Sequence, residues 1–309
     1  MIALVGHTGF VGSNIYASGK IDKAYNSKNI KESYGLKPDL LIYAGLRAEK
    51  YLANQDCQKD MNTILMAEES IKKIAPKQIA LISTIDVYKN PIDVNEDSKI
   101  DTAGLLPYGL NRYKLELWVR KNYPNALIIR LPGLFGKNLK KNFIYDFINY
   151  IPFMLKEEKI NELSKRNAEI FNFYDLQNNG FYKCKNLDEN QKIYLKQLFK
   201  EIEFSALNFT DSRSLFQFYP LNRLWDDIQI ALKHKITLLN PATEPIFASE
   251  LYSFLTNETF ENELSNIPFN YNYTTKHADL FGGTDKYIIN KINLLNEIKR
   301  FIEEYSYEK

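Results

Sequence analysis

Residues 2–12 read Ile-Ala-Leu-Val-Gly-His-Thr-Gly-Phe-Val-Gly. Four apolar residues make a buried strand, and Gly6, Gly9 and Gly12 follow at three-residue spacing. A strand, a glycine turn and a helix start make a cradle for a pyrophosphate. Gly6 permits the tight turn, Gly9 lets the backbone approach the ligand, and Gly12 lets helix pack on strand. The helix N-terminus adds free N–H groups and a positive dipole end. Thr8, Phe10 and Val11 lie in the same turn and join the glycines as candidate cofactor-binding residues. His7 sits there too, with its ring free to donate to the ligand or to face solvent.

Working outward, residues 1–136 alternate between strand and helix patterns. Candidate strands are 2–5, 23–26, 39–44, 78–83 and 126–130, and candidate helices are 11–18, 51–74 and 107–121. The alternation predicts an α/β fold, a Rossmann-type doubly wound parallel sheet covered on both faces. Pro76 and Pro124 stop two helices, and Pro107 opens one where its missing N–H costs nothing. Residues 137–212 turn to Lys, Glu, Asn, Phe and Tyr with weak periodicity and a charged helical run near 156–170. They predict, with 240–286, a smaller α+β C-terminal substrate lobe, while 213–239 returns to the dinucleotide-binding domain of 1–136. Residues 287–309 form a C-terminal helix, with Ile288, Ile292, Leu295, Ile298 and Ile302 along one stripe.

Composition bounds the function. The 309 residues are 45% hydrophobic and 25% charged, with a net charge of +2. These are ordinary globular values, and without a basic run there is no electrostatic footprint for nucleic acid. Cys57 and Cys184 lie far apart, which excludes a thiolate cluster and suits a reducing cytoplasm. His7, His234 and His277 do not cluster, so no metal is expected. The chain enters a strand without a basic n-region, so no signal peptide is expected and the location reads as cytoplasmic. The apolar stretch from Phe143 to Leu155 contains Asp146 and is too short to cross a bilayer core of ~30 Å, so no membrane role is expected.

Two segments carry chemistry. Residues 79–88 form a buried strand ending in Ser83 and Thr84. Strand ends of an open parallel sheet face the ligand crevice, so both belong near a cofactor. Tyr108 and Arg112 lie one helical turn apart on a common face. A free tyrosine, with a pKa of about 10, is a poor base at neutral pH. A cation one turn away and a positive nicotinamide ring favour its phenolate. With Thr84 holding the substrate oxygen and Tyr108 moving the proton, this is a hydride-transfer site. At face value, Arg112 can equally be a surface charge paired with Glu116.

Several segments together resemble the extended short-chain dehydrogenase/reductase family, in its NAD-dependent epimerase/dehydratase branch acting on sugar nucleotides. Residues 6–12 match its G-x-x-G-x-x-G turn. Tyr43-Ala44-Gly45 is similar to the end of its fourth strand, and Asn62 lies where a family helix carries an asparagine. Residues 83–88 resemble its Ser-Thr-x-x-Val-Tyr segment, and Tyr108-Gly109-x-Asn111-Arg112 resembles Tyr-Gly-x-Ser-Lys, with Glu116 at the family distance. Arg130 to Gly136, including Pro132, resembles the strand and loop over the nicotinamide. The resemblance implies catalytic roles for Thr84, Tyr108 and Arg112, the last orienting the ribose. It implies cofactor contacts at Ala44, Gly45, Ser83 and Pro132, and a backbone contact near the tyrosine from Asn62. It also implies a nucleotide-sugar substrate and a homodimer built on helices 51–74 and 107–121, with Cys57, Met61, Leu65, Leu115 and Trp118 as apolar surface.

The departures refine the reading. Arg112 replaces lysine but keeps the charge. Ile85 and Asp86 stand where dehydratases carry an acidic pair, which favours epimerisation, then ketone reduction, over dehydration. Gly133 replaces an asparagine, and the family's phosphate-binding arginine and its aspartate appear as Phe216 and Arg223, with Arg213 the nearest substitute. After the second strand NAD enzymes place an acid. Here Asn26, Ser27 and Lys28 follow, and Lys28 can pair with a 2′-phosphate. NADP is therefore favoured over NAD. The function expected is an NAD(P)-dependent sugar-nucleotide epimerase or reductase. The alternative is a catalytically lapsed NAD(P)- or nucleotide-binding protein of a polysaccharide pathway.

Overall fold

The structure, a computed structural model, describes residues 1–307. Five strands of the first half carry the fold: β1 (Ile2–Val5), β2 (Lys23–Tyr25), β3 (Leu40–Tyr43), β4 (Gln78–Thr84) and β5 (Leu127–Leu131). With Leu238–Leu239 they make a six-stranded sheet in the order 238–239, β5, β4, β3, β1, β2. Every pairing is parallel. Four helices connect them: α1 (Phe10–Ser18), α2 (Lys50–Gln55), α3 (Cys57–Ile74) and α4 (Pro107–Asn122).

The sheet reads as apolar runs because both faces are covered. All of β3 and β5 is buried. Ala3, Val5, Leu41, Tyr43, Ile79 and Leu81 form one face and pack on Ile64, Ala67, Ile71 and Ile74 of α3 and on Leu115 and Val119 of α4. Leu4, Ile42, Ala80 and Ile129 alternate to the other face. There α1 meets the helix Leu224–Lys233. From β1 the chain runs out to β2 and then crosses to β3 on the other side of β1. The switch point thus lies between β1 and β3, and in open α/β sheets ligands sit outside the strand ends at that point.

The helix expected over 51–74 is broken. Asp56 separates α2 from α3, and its carboxylate accepts from the Lys59 N–H at 2.9 Å. An N-capping aspartate starts a new helix where periodicity alone sees one. The C-terminal helix begins at Lys291 rather than 287. Residues before it are drawn into extended pairing: Ile288 N–H donates to Ala242 O at 2.8 Å, and Ile289 bridges Thr243.

The chain divides into two compact units. The first comprises 1–139, 215–247 and 269–301 and holds the whole six-stranded sheet. The second comprises 140–214, 248–268 and the chain from 302. It has an antiparallel sheet with Phe181–Cys184 between Met154–Lys156 and Tyr174–Leu176. Leu155, Ile160, Leu163, Ile170, Leu195 and Phe199 form its core. Its charged run folds as the helix Glu157–Arg166.

Leu115, expected on a dimer face, is fully buried in the first unit's core. Leu65, Met66 and Leu117 are exposed large apolar residues on α3 and α4, and Cys57 at the start of α3 is exposed too. Among the described residues no helix is long and apolar enough to cross a membrane, and no group of three His, Cys, Asp or Glu is placed to hold a metal ion.

Candidate active site

The glycine turn leaves β1 at the switch point. Gly6 adopts φ +97°, a backbone region costly for any residue with a Cβ. A Cβ there would also lie 2.4 Å from Ala44 O and 2.9 Å from Gly45 N. At Gly12 a Cβ would lie 2.1 Å from Gly6 O, so only glycine lets α1 close onto the end of β1. Gly9 is the N-cap of α1, and its N–H returns to Gly6 O at 2.9 Å. Thr8 and Gly9 are exposed, Phe10 and Val11 half-buried. This leaves the first N–H groups of the helix bare, as an anion site requires. Beside them His7 Nδ1 is buried with no hydrogen-bond partner.

At the end of β2, Asn26 Oδ1 accepts from the Lys28 N–H at 2.9 Å and Asn29 Oδ1 accepts from the Asn26 N–H at 2.8 Å. This Asx turn leaves Ser27 and Lys28 exposed, with no acid among them.

Thr84 ends β4, and Tyr108 sits in the first turn of α4. The Thr84 hydroxyl lies near enough to act on the Tyr108 phenol. Both side chains are buried. Gly109 permits this approach, since a Cβ there would lie 2.0 Å from Asp86 O. Burial pushes the Tyr108 phenol above its ordinary value, and the Asp86 charge adds to this. Arg112, the Thr84 hydroxyl and Lys50 pull the other way. Of these influences desolvation is the largest, ahead of the Arg112 charge.

Arg112 is not on the surface and does not pair with Glu116. Its guanidinium stacks on the Tyr108 ring at 3.9 Å. Nη1 donates to Asp60 Oδ2 at 2.6 Å and to Tyr108 O at 3.2 Å, and Nη2 donates to Arg47 O at 2.8 Å. Asp60 also accepts from Asn111 at 2.8 Å. A guanidinium so committed has little left for a ribose.

Glu116 is taken elsewhere. It is fully buried, pairs with Arg130 and accepts from the Ser83 hydroxyl at 2.6 Å. Arg130 Nη1 reaches the Tyr88 hydroxyl at 2.7 Å. The side chain of Ser83 therefore points into a buried network that fixes α4 to the end of β4.

Asn62 is likewise not at the site. It is exposed and accepts only from Gln58, at 3.2 Å. Asn54 takes the place expected of it, accepting from the Tyr108 N–H at 2.9 Å. Asp60, Asn54, Lys50 and Tyr271 are the residues the motif reading missed. A signal for Asp60 was present: Ile64, Ala67, Ile71 and Ile74 make the buried stripe of α3, and one step of four residues back reaches Asp60. Asn62 lies about 200° round the helix from Asp60.

Pro132 follows β5, half-buried. Gly133–Phe135 pairs in parallel with Phe218–Pro220, and a Cβ on Gly133 would lie 2.9 Å from Gln217 O. Backbone crowding accounts for the glycine. Arg223 is held by Asp227 and by Phe281 O. Arg213, within the second unit, is held by Asp211 and Glu263. Neither is a spare diphosphate ligand.

No protein-family model matches the chain, and no curated protein matches it in sequence. The fold, a Rossmann-like α/β fold with a parallel six-stranded sheet, is shared over the full length with solved enzymes. One is a dTDP-4-dehydrorhamnose reductase from Yersinia enterocolitica, 12% identical, covering 98% of both chains with a TM-score of 0.63. A UDP-glucose 4-epimerase from Thermotoga maritima, solved with UDP-glucose, is 11% identical over 99% of both chains with a TM-score of 0.62. A dTDP-4-dehydrorhamnose reductase from Bacillus anthracis in complex with NADP is 13% identical, covering 98% of this chain and 97% of that one, with a TM-score of 0.62.

Proposed function

We propose that this protein is an NAD(P)-dependent oxidoreductase of the extended short-chain dehydrogenase/reductase kind, acting on a nucleotide-activated sugar as an epimerase or ketone reductase. One observation carries the reading: buried Thr84 and Tyr108 side by side at a strand end of the sheet whose switch point holds the glycine turn. The turn fits a dinucleotide by three features. These are Gly6 and Gly12, whose Cβ space is filled by backbone, the bare start of α1, and the orphaned His7 Nδ1. Gly6, Thr8, Gly9, Phe10, Val11, Gly12, Ala44 and Gly45 would hold the pyrophosphate end, and Pro132 the nicotinamide end. Asn26, Ser27 and Lys28 would hold the adenosine ribose. The absence of an acid there favours NADP, and fold neighbours bound to NADP and NADPH agree.

A nicotinamide coenzyme bound there would supply or take the hydride. The protein handles the proton. With its pKa raised, Tyr108 keeps its proton at neutral pH and can donate it to a carbonyl oxygen, while the Thr84 hydroxyl holds that oxygen in place. The second unit, with its α+β core, is the proposed substrate lobe, and the working form is a homodimer.

A Tyr108→Phe variant tests this. It should bind NADPH as the parent does and lose turnover of sugar nucleotides by about 10²–10⁴-fold. Full turnover by the variant rejects the mechanism. The locked Arg112 favours a second reading, a lapsed coenzyme-binding protein. Coenzyme that copurifies in native mass spectra but whose absorbance shows no redox change on addition of any UDP- or dTDP-hexose would establish it.

A further inference from the structure

The reaction centre holds a second cation that the Tyr-x-x-x-Arg spacing does not predict. Lys50 is the first residue of α2. Its Nζ lies 2.8 Å from Asp86 Oδ1 and 3.5 Å from the Tyr271 hydroxyl. Tyr271 donates to the same Asp86 oxygen at 3.1 Å. Asp86 lies two residues beyond Thr84, and its N–H bonds the Thr84 hydroxyl at 3.2 Å. Lys50, Asp86 and Tyr271 therefore form one cluster touching the Thr84–Tyr108 pair.

An exposed Lys–Asp pair is ordinarily a solvated contact of little consequence. Three features set this one apart. Both bonds fall on Oδ1, so Oδ2 accepts none among the described residues. The Lys50 side chain is 42% exposed and that of Asp86 21%. An ammonium has three N–H donors, and only one is well used here. And the neighbouring cation, Arg112, is 3% exposed with its terminal nitrogens spent on Asp60, Arg47 O and Tyr108 O. The two tasks of a site cation are thus separable. Arg112 acts on Tyr108 from beneath as a fixed charge. Of the two cations, Lys50 is the exposed one.

We infer that Lys50, latched by Asp86 and Tyr271, is a specificity-determining residue, its spare N–H groups and the free Asp86 oxygen recognising neighbouring hydroxyls of a polyhydroxylated substrate beside Tyr108. The inference rests on the oxidoreductase reading above. A donor and an acceptor side by side suit adjacent hydroxyls, each of which both donates and accepts. A substrate lacking them leaves the spare Lys50 N–H groups and Asp86 Oδ2 without partners, so the cluster selects against apolar ketones.

The test uses the full chain with NADPH bound and a panel of UDP-glucose, UDP-galactose, UDP-N-acetylglucosamine, dTDP-glucose and GDP-mannose. At least one should bind by calorimetry. Lys50→Met should weaken that sugar nucleotide at least about tenfold, the loss of a charge-assisted bond, while leaving NADPH affinity and the melting temperature unchanged. Lys50→Arg should recover part of the loss. Where turnover is seen, the loss should fall on KM more than on kcat. Parent-like sugar-nucleotide affinity in Lys50→Met overturns the inference. NADPH binding with no sugar nucleotide bound also overturns it and leaves the coenzyme reading standing. Absence of NADPH binding overturns both.

Discussion

The Arg112 guanidinium carbon lies over the ring of Tyr108, 3.9 Å from its centroid, while Nη1 holds the buried carboxylate of Asp60 at 2.6 Å. Arg112 is thus a prop under the tyrosine. It joins α3 to α4 and sets the ring's plane. Its charge favours the phenolate, but the pocket that buries the ring opposes it more strongly.

Removing the prop should therefore cost stability before it costs chemistry. Arg112→Met leaves Asp60 buried with only Asn111 as a side-chain partner. Breaking a buried pair costs about 3–5 kcal/mol. The melting temperature of Arg112→Met should fall well below that of the parent, and Asp60→Asn in the same chain should restore part of it. A variant melting with the parent would show that the pair is not structural.

The glycine turn carries a sharper prediction. Gly12→Ala places a Cβ 2.1 Å from Gly6 O, whereas Gly9→Ala places one at 3.3 Å. The first change must push α1 off β1, at about 1–3 kcal/mol, and should abolish heat protection by NADPH. The second should fold as the parent does. Equal coenzyme protection of parent and Gly12→Ala would sink the cradle.

Most of the sheet was legible because its strands are local apolar runs punctuated by glycine and proline. Strand 2–5 matches its expected bounds, and the other four candidates differ by only a residue at either end. The Thr84–Tyr108 pair was legible because both residues stand at fixed distances from element ends. What escaped depends on tertiary partners. Arg112 sits four residues from Glu116, the ordinary spacing of a helix pair, yet each has a buried partner from another element, Asp60 and Arg130. Ser83 is likewise claimed by Glu116. Tyr271 lies 185 residues from Asp86, and no local pattern announces that bond.

The outer faces of α3 and α4 carry the homodimer prediction. Leu65 and Met66 are 50% and 67% exposed, and Leu117 48%. Leu65→Lys with Met66→Lys should give a monomer in sedimentation at a micromolar concentration where the parent is a dimer. No core packing should be lost, so the circular dichroism should not change. A parent that sediments as a monomer rejects the dimer.

The last prediction concerns acid–base behaviour in the second unit. Asp146 lies on the short helix Phe143–Ile148, and burial pushes its carboxyl up to about 7. An unfolded aspartate titrates near 3.9. The fold thus holds a proton more tightly than the open chain. Its stabilising effect is complete below about pH 4, declines as pH rises through the window between the two values, and is gone above about pH 7, where the ionised carboxylate is held in a poor solvent. Asparagine has the shape of the protonated acid and no charge to bury. Asp146→Asn should therefore melt with the parent at pH 4 and above it at pH 8, with the gap opening between. A variant that melts below the parent at both values would show that the carboxylate is needed as an ion, and that burial is not what sets its proton affinity.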